Sequence, residues 1–339
     1  MGEIQKQRDS EIVLLRLIGM LMIIGCHLST YFGIGALGQI LNVGVQLFLF
    51  ISGWIYSSYP IADGKQWLAK RWERICIPMY IWVIFVYVLE IGIKKSSGNL
   101  WGLLFCLFDL QGLPFLVKGT DSYLLSGINH LWFLTALMFC YLLTPAVKKI
   151  KREITKKDFA LFCIVGTLGV VLLAYVGIYV EYIFIYFLGY FLAKLWKQHT
   201  NRQYFLLTVT FIIAMMIRLA GRYYLDGTIV YDVIITSLTH NVLAIWIFGT
   251  AKWIGSKTEI IARIARNKAV CYLEEKSYYI YIVHYYFLTG TLSVKKMADN
   301  IGLQMLIFVI LVWVSAVILQ KMDYFLVKNI EKILLKKRG

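Results

Sequence analysis

Proline and acidic residues are scarce in this chain: 4 prolines and 19 aspartates and glutamates among 339 positions. No polar, turn-rich stretch is long enough for a separate soluble domain, and the last apolar run ends close to Gly339. The 6 cysteines are scattered through apolar runs without paired spacing, so they read as small core residues, neither disulfides nor metal ligands. No internal repeat is visible. The first apolar run follows a polar tail, is too long for a signal-peptide core and lacks a small-residue cleavage site, so it reads as an anchor. Gly2 is followed by Glu-Ile-Gln-Lys, without the Ser or Thr of a myristoylation signal.

What the chain has in abundance is apolar sequence. Its hydrophobic fraction is 60%, against about 45–50% for soluble domains. Ten runs have the length of membrane spans: 11–32, 40–58, 75–93, 130–147, 159–177, 179–196, 204–222, 231–251, 272–292 and 302–325. A segment crossing lipid must satisfy its backbone internally, which leaves helices or a closed barrel, and runs this continuous exclude the barrel. The predicted fold is all-α: a polytopic membrane helical bundle of about ten transmembrane helices, forming one domain over 1–339 in a lipid bilayer.

The net charge of +16 is a topology signal. On alternate sides of the ten-span arrangement, Lys and Arg number 27 against 7, with Arg16 inside the first span. By the positive-inside rule both termini are expected in the cytoplasm, and nucleic acid is not implied. One stretch, WGLLFCLFDLQGLPFLV from Trp101 to Val117, is interrupted by Asp109, Gln111, Gly112 and Pro114. A crossing there would turn the later basic loops outward, so it is expected to be re-entrant or interfacial on the outer side, in reach of a substrate entrance.

The first span carries Arg16 and His27. Ionisable groups are costly in hydrocarbon, so each is a functional candidate by default. Eleven helical residues bring them back to within about 20° of one face, roughly 16 Å apart. Taken singly, Arg16 also suits snorkelling to the nearer surface, and His27 an interhelical hydrogen bond. The second span is rich in small and polar residues: Gly44 and Gly53 read as close-packing positions, and Gln46 lies in the outer half with His27. Lys70, Arg71 and Arg74 crowd the start of the third span, as topology anchors or as a phosphate-binding patch. His130 and Trp132 open the fourth span at the outer interface. His240 and His284 fall near mid-membrane, where a buried histidine usually serves as an interhelical hydrogen-bond partner. His199, in a loop, needs no function.

In order and spacing these features resemble the acyltransferase 3 family of bacterial integral-membrane O-acyltransferases. The residues concerned are Arg16 with His27, GVQLFLFISGW, Arg71-x-x-Arg74, HLWFLTALMFCYLLTP and SYYIYIVHYYF. The resemblance covers essentially the whole chain. It implies transfer of an acyl group, commonly acetyl from acetyl-CoA as co-substrate with no bound cofactor or metal, to a hydroxyl of a cell-envelope carbohydrate or lipid-linked glycan. It also implies a multi-pass protein of the bacterial cell membrane, with Arg16 and His27 catalytic and the basic cluster of Lys70, Arg71 and Arg74 on the donor phosphates. His130, Trp132 and Gln46 would then line the acceptor side, with His284 a further candidate. The chain departs from the pattern at Gln46, where many relatives carry an acid, and at Thr135-Ala136-Leu137, where larger members are often Glu-rich. A membrane transporter or flippase for an envelope precursor is the competing reading, disfavoured by the absence of paired repeats and matching interrupted helices.

Overall fold

The computed structural model describes residues 9–94, 100–117, 126–150, 153–196 and 200–336. Among these residues all regular structure is helical. Lys118, Lys151, Arg152 and His199 lie outside them.

Helix α1 (Ser10–Tyr31) precedes α2 (Gly35–Leu41), α3 (Gly44–Ser58) and α4 (Gly64–Lys94). Two short helices, α5 (Leu100–Leu107) and α6 (Leu113–Leu116), lead to α7 (Trp132–Ile150), α8 (Lys156–Tyr175), α9 (Glu181–Leu195) and α10 (Asn201–Leu225). Then come α11 (Thr236–Lys257), α12 (Ile260–Ala265), α13 (Lys268–His284), α14 (Tyr286–Thr289) and α15 (Ile301–Lys336).

Eight helical stretches among the described residues are long and apolar enough to cross a membrane. The other two of the ten expected runs are shorter helices: α9 has 15 residues, and α13 has 17 before the single turn of α14. The interrupted stretch from Trp101 to Val117 forms α5 and α6, of 8 and 4 residues. Neither approaches the roughly 20 residues of a crossing helix. α8 exposes Leu161, Ile164, Leu168 and Leu172, and α10 exposes Phe205, Ile212, Met216 and Leu219. Apolar faces of that extent belong against hydrocarbon. The protein is a helical bundle that passes the membrane several times.

The chain divides into two compact units, residues 1–60 with 143–275 and residues 61–142 with 276–339. In the first, α3 crosses α9 where Gly53 meets Gly189. A Cβ at Gly53 would lie 1.9 Å from the Tyr186 carbonyl oxygen, and one at Gly189 2.2 Å from that of Phe50. Only glycine lets the two backbones touch in this way. Gly44 likewise sits against the α1 backbone, where a Cβ would lie 2.6 Å from Gly19 O. Both expected packing glycines of α3 therefore have that role. In the second unit α4 packs against α15 and α5. α4 carries Pro78 inside it, a residue that membrane helices accommodate more readily than soluble ones.

Among the described residues no cysteine is joined in a disulfide; Cys76, Cys106 and Cys140 are buried as core residues, while Cys271 is exposed.

Candidate active site

In the first unit, Arg16 and His27 stand on one unbroken helix, α1, so the expected common face is retained. α1 starts with Asp9 as N-cap, its carboxylate accepting from Glu11 N. Arg16 is not isolated. Its Nη1 donates to Glu274 Oε1 at 3.3 Å, with Arg16 46% exposed and Glu274 8%. The sequence reading had named no acid for Arg16. The available signal was Glu274-Glu275, two carboxylates at the head of a predicted span. His27 is half-buried, and Gln46 is buried with its amide Oε1 accepting no hydrogen bond among the described residues. A polar oxygen left so in a low-dielectric interior is costly, which makes Gln46 a residue with unspent hydrogen-bonding capacity. His240 has the structural role expected of it: its Nε2 donates to Gln39 O at 2.7 Å, and Arg218 Nη2 donates to the same oxygen at 3.3 Å.

The second unit holds Lys70, Arg71 and Arg74. The third span is expected from residue 75, but α4 begins at Gly64 and carries all three on its early turns. At 100° per residue they occupy an arc of about 100°. Lys70 and Arg74 are exposed, while Arg71 is half-buried with its guanidinium carbon 5.8 Å from the centroid of the Trp67 ring. The cluster is a one-sided cationic face with one member anchored on an aromatic ring.

His130 and His284 come together in the same unit, with ring centroids 4.9 Å apart. His130 Nε2 lies 2.8 Å from Tyr281 O and His284 Nδ1 lies 2.7 Å from the same atom. A carbonyl oxygen only accepts, so both rings donate to it. This fixes opposite tautomers in the neutral state, with the lone pair on Nδ1 of His130 and on Nε2 of His284. Tyr281 returns the contact, its hydroxyl donating to His130 O at 2.6 Å. Trp132 stacks on Phe115 of α6, centroids 4.1 Å apart and planes 26° from parallel.

Arg16, His27 and Gln46 thus belong to one unit, and Lys70, Arg71, Arg74, His130, Trp132 and His284 to the other. No group of three or more His, Cys, Asp or Glu among the described residues could hold a metal ion.

The described residues form a multi-pass helical bundle with an ion-paired arginine and a histidine on its unbroken first helix. The family described as "Acyltransferase domain" (acyltransferase 3) matches residues 9–320, and the chain belongs to it. Neither a curated protein nor a solved structure matches the chain.

Proposed function

We propose that the protein transfers an acyl group, acetyl in the first instance, from acyl-CoA to a hydroxyl of a cell-envelope carbohydrate or lipid-linked glycan, at the bacterial cell membrane. The observation that carries this reading is the pairing of His27 with a carboxylate-braced Arg16 on one face of α1, in a chain of the acyltransferase family.

The donor's phosphates cannot enter hydrocarbon, and the exposed basic face of Lys70, Arg71 and Arg74 suits them through charge-assisted hydrogen bonds. His27 acts on the acceptor hydroxyl as general base, or itself takes the acyl group and passes it on. In either route the thioester C–S bond breaks and an ester C–O bond forms. In direct transfer the hydroxyl proton passes through the imidazole to the departing CoA thiolate. In the acyl-histidine route a C–N bond first replaces the C–S bond, CoA leaving with the ring's N–H proton. That C–N bond then breaks as the hydroxyl attacks and gives its own proton to the imidazole. Arg16 neutralises the donor where it passes along α1, or stabilises the negative charge that develops on the carbonyl oxygen, with Glu274 fixing the guanidinium. His130 and Trp132 serve the acceptor side with Gln46, and His284 supports His130.

The test uses the purified full chain in lipid nanodiscs with radiolabelled acetyl-CoA. CoA release and label transfer that depend on a carbohydrate acceptor, and that vanish in His27→Ala, are expected. Acceptor-independent behaviour, or movement of an envelope precursor across the bilayer without acyl-CoA, would overturn the reading in favour of a transporter.

A further inference from the structure

Asp109 occupies a position where its backbone would prefer glycine. It is the one non-glycine residue with positive φ among the described residues, at 54°. It follows α5 in a Schellman closure: Asp109 N donates to Cys106 O at 3.1 Å, and Leu110 N to Phe105 O at 2.8 Å. The residue at this left-handed site after a helix is usually glycine, which carries no Cβ penalty there. Asp109 is also only 4% exposed, so a carboxyl group is buried at a backbone position that glycine would fill without a Cβ penalty.

The gain lies across the fold, against the start of α7. Asp109 Oδ1 accepts from Gln111 Nε2 at 2.8 Å and from Thr135 Oγ1 at 3.3 Å. Gln111 Nε2 also reaches Leu131 O, at 3.1 Å. Thr135 Oγ1 accepts from Gly112 N at 3.0 Å. Gly112 presses directly on the α7 backbone, where a Cβ would stand 2.4 Å from Trp132 O. The buried carboxylate therefore ties the interrupted segment to Thr135 directly and to Leu131 through Gln111, two residues that flank Trp132. Asp109 stands six residues before Phe115, the ring on which Trp132 stacks.

We propose that Asp109 is a positioning residue for carbohydrate recognition: through Gln111 and Thr135 it locks the α5–α6 segment to α7 and so sets the Phe115–Trp132 platform beside His130. This inference rests on the assignment of His130 and Trp132 to the acceptor side. Strain kept at a site the surrounding structure over-determines is a recurrent mark of functional positions.

Asp109→Gly separates function from folding, because it suits the left-handed backbone and removes only the carboxylate. The assay measures transfer from radiolabelled acetyl-CoA to dodecyl maltoside, the sugar-bearing probe, with 5-fluorotryptophan labelling to follow the Trp132 resonance. The expected result is a thermal midpoint equal to or above wild type. The KM for dodecyl maltoside should rise at least about 10-fold with the KM for acetyl-CoA unchanged, and the Trp132 resonance should shift. Asp109→Asn keeps an accepting oxygen and tolerates the backbone, so it should restore most of the loss. An unchanged maltoside KM or an unshifted Trp132 resonance in Asp109→Gly overturns the proposal. If Asp109→Gly does not fold, Thr135→Val and Thr135→Ser carry the same readout: Val must raise the maltoside KM and Ser must restore it, and equal values overturn the proposal. Trp132→Ala tells the two failures apart. A normal maltoside KM there removes the acceptor-side reading itself, whereas a raised one beside a normal Asp109→Gly removes only this inference.

Discussion

Arg16 and Glu274 lie 258 positions apart in sequence and form an ion pair at 3.3 Å, joining α1 to α13. Glu274 is buried and Arg16 is not, so the acid is the fixed partner and the guanidinium the group it aims. If Arg16 acts at the donor carbonyl, Glu274→Gln should lower kcat more than it changes either KM. Because Arg16 is nearly half exposed and solvent screens the pair, we expect a fall of only about 5- to 10-fold. Arg16→Lys keeps the charge but loses the planar fork, and should lower kcat further. The double variant should be no worse than Arg16→Lys alone, which a double-mutant cycle on kcat measures. Additive losses would mean that the two residues act separately.

The cationic face of α4 gives a second expectation, in which its members differ. Arg71→Ala and Arg74→Ala should each raise the KM for acetyl-CoA by roughly 10- to 150-fold, the worth of a charge-assisted hydrogen bond of about 1.5–3 kcal/mol. Acceptor KM should not move. Arg71→Ala also removes a cation from the Trp67 ring, a contact worth about 0.5–1 kcal/mol at a partly exposed site. Its thermal midpoint should therefore fall slightly, while that of Arg74→Ala should hold. Unchanged donor KM in both variants would leave the cluster as a topology anchor.

How far the sequence could be read depended on whether a feature is local. α1 was legible because its apolar run is uninterrupted, and the common face of Arg16 and His27 follows from helix geometry alone. The break in residues 101–117 was legible too, since Asp109, Gln111, Gly112 and Pro114 interrupt the run within a few positions. The start of α4 was not. Lys65, Lys70, Arg71, Glu73 and Arg74 lower the local hydropathy, yet Lys, Arg and Glu are good helix formers, and the helix runs back to Gly64. Glu274 escaped notice because a pair formed across helices has no signature near either residue. Asp109 was seen only as an interruption; that its carboxylate ties down α7 depends on contacts with Leu131 and Thr135, more than twenty residues away.

His284 offers a third test, built on the carbonyl it shares with His130. Asparagine can place its amide nitrogen near the Nδ1 position and donate to Tyr281 O, but it has no proton-accepting ring nitrogen. If His284 serves only to hold Tyr281 and His130, His284→Asn should fold and keep near-normal turnover. His284→Leu should lose about 1–3 kcal/mol of stability, the cost of breaking a buried hydrogen bond, which chemical denaturation or thermal shift would register. A folded but inactive His284→Asn would instead place this ring in the chemistry.

The last expectation concerns His27. As general base or acyl carrier it must have a ring nitrogen whose lone pair takes up a proton or an acyl group. His27→Gln keeps much of the bulk and hydrogen-bonding capacity of the imidazole but can do neither at neutral pH. Removing a general base typically lowers the rate by about 10²–10⁴-fold, so His27→Gln and His27→Ala should both be inactive at that level while inserting and melting like wild type. His27 is half-buried on a helix whose packing rests on residues such as Leu15, Met20 and Ile23, so neither change should unfold α1. The two routes then separate in a quench experiment. Stopping wild type with labelled acetyl-CoA but no acceptor should leave label on His27 if the imidazole carries the acyl group, and none if it acts only as base. If His27→Gln transfers acetyl at a near-normal rate, His27 is a packing residue and the chemistry must be sought elsewhere on the bundle.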